Sequence, residues 1–247
     1  MDTTTTATTA DTRPSDADIL AHQKAVAAPF LSAPLVGSTG TFDGLALQLK
    51  DKAVALRHVR KDGNCFYRAF SFALLEALLN YAGSNWAKKS DLTNQGYDPI
   101  ITDDFYEPIE AALKDDFTED KLRGIFEGDG EYQSDTIVCY LRLVTAAELK
   151  KNRDLYEAFI LDSYPTIDEF IAQQVEPMAI ESDQIHIVAI ANAIGVTVNV
   201  ANLDSSDSDL NFHDITPMMP LDLENSQHQP VVSLLYRPGH YDIVYLK

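Results

Sequence analysis

The sequence predicts an α+β fold in which many helices pack around a small central sheet near the C-terminus, closed by a C-terminal hairpin. Three observations carry this. First, apolar residues recur at Phe66, Ala69, Phe70, Ala73, Leu74, Ala77, Leu78 and Tyr81, the i, i+3, i+4, i+7 stripe of a half-buried helix. Second, residues 230–236 and 240–246 read as apolar strands joined by the turn Arg237-Pro238-Gly239, the signature of a hairpin. Third, the stretch between them is mostly of helical pattern, with one alternating strand at residues 196–200. At 247 residues, 45% of them hydrophobic, one large domain can bury a full core.

In chain order, residues 1–16 are rich in Thr, Ala and Asp without periodicity, so a disordered tail is expected there. Residues 17–247 are expected to form one domain, with 17–58 a helical N-terminal arm. Residues 16–28 have helical spacing, interrupted by Pro29 and Pro34; 37–44 read as a loop and 45–58 as a second helix. After the central helix, 83–99 are polar and irregular. Helices are expected at 103–117, 134–145, 146–161 and 166–174, with an acidic loop at 124–133. Ser182 and Asp183 can cap a helix through Ile194, and Gly195 suits its C′ position. Residues 202–211, rich in Ser and Asp, read as a mobile loop.

Composition narrows the classes of function. Lys plus Arg number 19 against 38 Asp plus Glu, a net charge of −19, which argues against a nucleic-acid partner and favours a basic one. The start of the chain lacks the basic and apolar regions of a signal peptide, and no apolar run reaches the ~18 residues of a membrane span. Two cysteines, Cys65 and Cys139, fit reduced thiols in the cytoplasm better than a disulfide framework. A monomer is expected. His22, His58, His186, His213 and His228 show no metal-ligand spacing, and the acidic pairs lack the alternating oxygen ligands of a calcium loop. His186 reads as a satisfied, partly buried histidine, and Cys139 as core.

The chemistry concentrates in Asp62-Gly63-Asn64-Cys65-Phe66-Tyr67-Arg68. A polar turn with N-cap chemistry precedes the helix, so Cys65 stands at its N-terminus. There the helix dipole and unpaired N–H groups stabilise thiolate over thiol, and the same N–H groups can hold an oxyanion. Taken alone, Cys65 is equally a small buried core thiol. His240 and Asp242, two residues apart on a strand, project from one face, and a carboxylate beside an imidazole fixes its tautomer and stabilises imidazolium. Singly, each reads as an ordinary turn or surface residue. Together, Cys65, His240 and Asp242 form the nucleophile, base and orienter of a thiol hydrolase.

These residues match a family pattern. The chain resembles the otubains, a branch of the ovarian-tumour-domain cysteine deubiquitinases, through DGNCFYRAF from Asp62, VCYLRLVT from Val138, VEPMAIESDQIH from Val175 and LLYRPGHYDIVY from Leu234. The resemblance implies a papain-like cysteine protease fold of the ovarian-tumour type and an isopeptidase that cuts ubiquitin from lysine. It implies Cys65 as nucleophile, His240 as general base, Asp242 as its partner and Asp62 as the acidic residue shaping the oxyanion hole. The hole would be built from main-chain groups of Asp62, Asn64 and Cys65, and Glu181, Asp183 and Gln184 would face ubiquitin. No metal or organic cofactor is implied. The expected partners are ubiquitin, whose recognition face is basic around an apolar centre, and polyubiquitin chains, with a cytoplasmic and also nuclear location. Residues 57–61 are shorter than the family pattern, and 202–229 depart from it.

Three functions compete. One is isopeptide hydrolysis through a thioester on Cys65. The second is capture of a ubiquitin-conjugating enzyme without cutting, alone or as an added role. The third is a thiol peptidase with another substrate.

Overall fold

The computed structural model describes residues 35–36, 49, 51–79, 89–113, 117–127, 131–203, 210–221 and 229–247. The expected tail at 1–16, the helix at 16–28 and the loop at 37–44 lie outside them, as does most of the region expected to form the arm. Strands β1 (Leu35–Val36), β2 (Ala53–Arg57), β3 (Thr197–Asn202), β4 (Asn211–Ile215), β5 (Val231–Arg237) and β6 (His240–Leu246) form one sheet in the order β1-β2-β6-β5-β3-β4. Among the described residues, β3–β5 is the one parallel pair. The fold is α+β, as expected.

The sheet recruits residues expected elsewhere. Residues 53–57 were expected within a helix over 45–58, yet they form β2, pairing antiparallel with β6 from Ala53–Leu246 to Arg57–Ile243. The correction has a physical reason: Arg57 is wholly buried, donates from Nε to Tyr245 Oη at 3.1 Å and lies over the Phe72 ring, contacts that need β2 beside β6. Asn211, expected to end a loop, instead starts β4, whose pairing with β3 supplies main-chain partners to a largely exposed strand.

Helix α1 (Cys65–Leu78) lies against β5 and β6. Successive sheet residues alternate: Leu234 and Ile243 join the large core with Phe66, Phe70 and Leu74, whereas Leu235 and Val244 pack on the opposite face with Leu49, Leu56 and Leu210. Around α1 stand α2 (Lys89–Asn94), α3 (Pro99–Ala112), α4 (Glu119–Glu127) and the long α5 (Glu131–Lys151). The irregular stretch expected over 83–99 thus contains a short helix. Asp98 starts α3 earlier than its acidic residues suggested, accepting Ile100 N–H at 2.9 Å, with Pro99 in the first turn, a favoured N-terminal pairing. Gly124 falls inside α4 rather than in a loop.

Helix α5 runs through the junction expected at residue 145 and is buried on most sides, the polar residues Ser134, Arg142, Thr145 and Glu148 included. Beyond it come α6 (Arg153–Tyr156), a 3₁₀ turn (Glu157–Phe159), α7 (Ile167–Phe170) with a π turn (Ile171–Val175), and α8 (Gln184–Ile194). Gly195 ends α8 at φ 83°, as the sequence suggested. Among the described residues no helix is long and apolar enough to cross a membrane.

Candidate active site

Phe66 packs edge-on against Tyr241, ring centres 5.3 Å apart. Each aromatic is the chain neighbour of a reactive residue, so this contact brings the head of α1 to the start of β6, and Cys65 to His240. Cys65 is the first residue of α1 and is 3% exposed. Its N-cap, Asn64, provides no side-chain cap, correcting the expectation of Asn64 capping chemistry. The Asn64 Oδ1 instead accepts from Ala179 N–H at 2.8 Å and Arg142 Nη2 at 2.9 Å. The first helical hydrogen bond runs from Arg68 N–H to Asn64 C=O at 3.0 Å. The N–H groups of Cys65, Phe66 and Tyr67 therefore precede the ladder, at the positive end of the dipole.

His240 and Asp242 emerge together from β6. His240 Nε2 lies 3.0 Å from Asp242 Oδ1, which sets the tautomer: Nε2–H donates to the carboxylate. Nδ1 is buried, makes no conventional hydrogen bond and is the nitrogen left to meet the thiol. Burial pushes the imidazole's pKa down, but the bond to Asp242, the Cys65 thiol against the ring and the charges of both outweigh it, raising it to about 9. The ring is then imidazolium at neutral pH, suited to pairing with thiolate.

Asp242 has no exposed surface. Oδ1 also accepts Val59 N–H at 2.9 Å, and Oδ2 faces His58 Nδ1 at 3.3 Å and Arg237 Nη2. Burial pushes its pKa up, but His240, Val59 N–H and Arg237 prevail and hold it below the usual carboxylate value. A buried carboxylate with these donors stays ionised.

Asp62 shapes the turn from one side. Its Oδ1 accepts Asn64 N–H at 2.9 Å and its Oδ2 accepts Arg68 Nη2 at 2.7 Å. Arg68, wholly buried, also donates to Ser134 Oγ at 2.9 Å and Asp135 Oδ1 at 2.8 Å. Asp62 is thus a positioning group. Its bond to Asn64 N–H closes an Asx turn, a carboxylate two residues before the N–H it accepts, while Cys65 N–H stands at the first position of α1.

The sequence model described as Peptidase C65 Otubain matches residues 42–246, a span that includes Cys65, His240 and Asp242. The chain belongs to the otubain family. Human "Ubiquitin thioesterase OTUB1" is 38% identical over 208 residues, covering 80% of this otubain and 72% of that protein. The Arabidopsis thaliana "OVARIAN TUMOR DOMAIN-containing deubiquitinating enzyme 1" is 35% identical over 222 residues, covering 81% and 72%. A solved complex of h/ceOTUB1 with ubiquitin aldehyde and UBC13~Ub is similar with a TM-score of 0.75 at 28% identity, covering 94% of this chain and 98% of that one.

The remaining candidates of this otubain separate cleanly. Cys139 is only partly buried, so its reading as core is corrected, but burial, then Asp135, push its thiol pKa up. His186 is 1% exposed, accepts Asp183 N–H at Nδ1 (3.0 Å) and meets Gln174 C=O with Nε2 (3.2 Å); burial lowers its pKa, so it is a neutral structural histidine. No cluster that could hold a metal occurs among the described residues. Glu181, Asp183 and Gln184 are all exposed. A β-carbon placed on Gly239 would lie 3.5 Å from Glu181 Oε2, which puts this carboxylate beside the β5–β6 turn. Asp183 and Gln184 line a cleft of about 640 Å³ with Leu155, Phe159, Ile160 and Met218. Phe159 is 78% and Met218 60% exposed.

Sequence reasoning missed Arg68, Arg142, His58, Arg237 and Val59 N–H. A signal existed for Arg142: a lone cation inside the apolar run Val138-Cys139-Tyr140-Leu141-Arg142-Leu143-Val144 needs buried acceptors.

Proposed function

We propose that this otubain is a deubiquitinating cysteine protease that hydrolyses isopeptide bonds between ubiquitin and lysine. The observation that carries it is the Asp242–His240 pair set against Cys65 at the head of α1. The Cys65 thiolate attacks the isopeptide carbonyl, and Cys65 N–H with the helix dipole stabilises the oxyanion. The His240 imidazolium protonates the departing lysine amine, leaving a thioester between Cys65 and the ubiquitin C-terminus. His240, now neutral, takes a proton from water, which hydrolyses the thioester and restores the thiolate. Asp242 keeps Nδ1 turned toward the sulfur throughout.

The cleft lined by Phe159, Ile160, Gln184 and Met218 is the proposed seat of ubiquitin's apolar centre, with exposed Glu181 and Asp183 facing its basic surround. Asp183 at the cleft is two residues from Glu181, which lies beside Gly239 of the hairpin, and this supports the placement. Free thiols favour a cytoplasmic location. Di-ubiquitins of every linkage, incubated with wild type and Cys65→Ser, test the reading. Cleavage by wild type alone supports it, and an inert wild type refutes it.

A second role, binding a ubiquitin-conjugating enzyme, is favoured by Ile100 and Ile101, 73% and 51% exposed at the start of α3, and by the similar solved complex containing UBC13~Ub.

A further inference from the structure

Arg142 sits in the interior of α5 with no exposed surface. Nη1 donates to Val175 C=O at 3.0 Å; Nη2 faces Gly63 C=O at 3.2 Å, Asn64 Oδ1 at 2.9 Å and Ile180 C=O at 2.7 Å. Its guanidinium stacks over the Tyr67 ring at 4.6 Å. All four acceptors are neutral. A buried cation is costly unless hydrogen-bonded; here both Nη atoms are engaged while Nε has no hydrogen-bond partner among the described residues, and the planar fork matches acceptors on separate segments better than the single nitrogen of an ammonium does.

Two of those acceptors belong to the turn that presents Cys65, and two belong to the segment running from the π turn toward Glu181. The segments also meet directly. Gly63 has φ +74°, and a β-carbon there would lie 2.2 Å from Ala179 C=O. Ala179 itself holds φ 62°, a strained conformation for alanine that persists only when its surroundings enforce it; its N–H donates to Asn64 Oδ1. Arg142 lies behind this junction, bound to Gly63 C=O and Asn64 Oδ1 on one side and Ile180 C=O on the other.

We infer that Arg142 is a positioning residue for the oxyanion turn: its guanidinium fixes Gly63 and Asn64 against the segment 175–183. The fork sets where Cys65 N–H points. The same fork makes the ubiquitin-facing residues Glu181, Asp183 and Gln184 continuous with the turn, so it serves the proposed reaction and rests on that reading.

Arg142→Lys and Arg142→Gln, in a Cys139→Ala background, test the fork. Cleavage of a fluorogenic ubiquitin conjugate reports kcat and KM, alkylation by iodoacetamide shows that Cys65 remains reactive, and circular dichroism confirms folding. Both variants are expected to lose about 10- to 100-fold in kcat with little change in KM. Folded Gln protein with wild-type kcat overturns the inference. If the Gln variant does not fold, the Lys variant decides: wild-type kcat in folded Arg142→Lys overturns the fork's role, and a selective kcat loss supports it. Failure of the parent to cleave the conjugate, with its thiol still reactive, refutes the proposed function instead.

Discussion

Asp242 collects donors from His240, Val59 N–H, His58 and Arg237 around one buried carboxylate, so its removal should act on the imidazole more than on the fold. Asp242→Asn removes the charge that holds His240 at about 9. The basic limb of kcat/KM, where the imidazolium that protonates the leaving amine is lost, should lie near pH 9 in the parent and move to lower pH in the variant. An amide also permits the wrong tautomer. In a serine hydrolase that costs up to ~10⁴-fold, and a thiol needs less help, so a kcat loss on the order of 10- to 1000-fold is expected. The linkage has a definite sign. A folded-state pKa above the free value of 6.5 contributes stability present in full below that value and lost as pH rises through about 9. The parent's melting temperature should therefore carry a decline over that window that is flattened in Asp242→Asn. Steady-state assays and melting curves from pH 6 to 10 check both; an unmoved basic limb would show that another group governs it. At Cys65 itself, a ubiquitin probe with a C-terminal electrophile should label this thiol and spare Cys139, whose proton burial retains. Peptide mass spectrometry locates the adduct, and labelling at Cys139 would refute the assignment.

Two glycines with left-handed backbones separate catalysis from folding at the level of elements. Gly63 is in the catalytic turn and Gly195 ends α8, and a β-carbon on either would meet main-chain atoms, Ala179 C=O at 2.2 Å and Leu221 N at 2.6 Å respectively. Both Ala variants should lose stability, about 1–3 kcal/mol each from strain and displaced backbone. Only Gly63→Ala should also lower kcat, by at least about tenfold, since a misplaced turn misaims Cys65 N–H. Equal kcat in the two variants would mean that the turn tolerates displacement. The elements that carry this chemistry were legible in the sequence because their signals are local: the apolar stripe of α1 from Phe66 to Leu78, the His240–Asp242 alternation, and Gly195 after a capped helix. What escaped depends on distant partners. Residues 53–57 become β2 only because β6 offers an edge and Tyr245 takes Arg57. Asn64 looked like a cap because its competitors for Oδ1, Arg142 and Ala179, lie 78 and 115 residues away.

Across the whole molecule, the segment 175–183 meets the turn before Cys65 at Ala179 and lines the apolar cleft at Asp183, while the chain carries a net charge of −19. These features act at different stages of an encounter. Long-range charge raises the rate at which a basic partner arrives and is screened by salt, whereas apolar contact in the cleft sets how long it stays. With ubiquitin as the substrate, kcat/KM should fall as ionic strength rises from about 0.01 to 0.5 M, a range over which the screening length shrinks severalfold, and kcat should barely change. Phe159, 78% exposed at the cleft, is the opposite case. Phe159→Ala should raise KM on the order of 10-fold or more, the cost of a central aromatic anchor, without altering kcat, the alkylation profile of Cys65 or the salt dependence. Steady-state cleavage of a ubiquitin conjugate by both proteins across the salt series measures all of these. A KM unaffected by Phe159→Ala would remove the cleft from ubiquitin recognition, and a salt-independent kcat/KM would show that the acidic surface takes no part in drawing the substrate in.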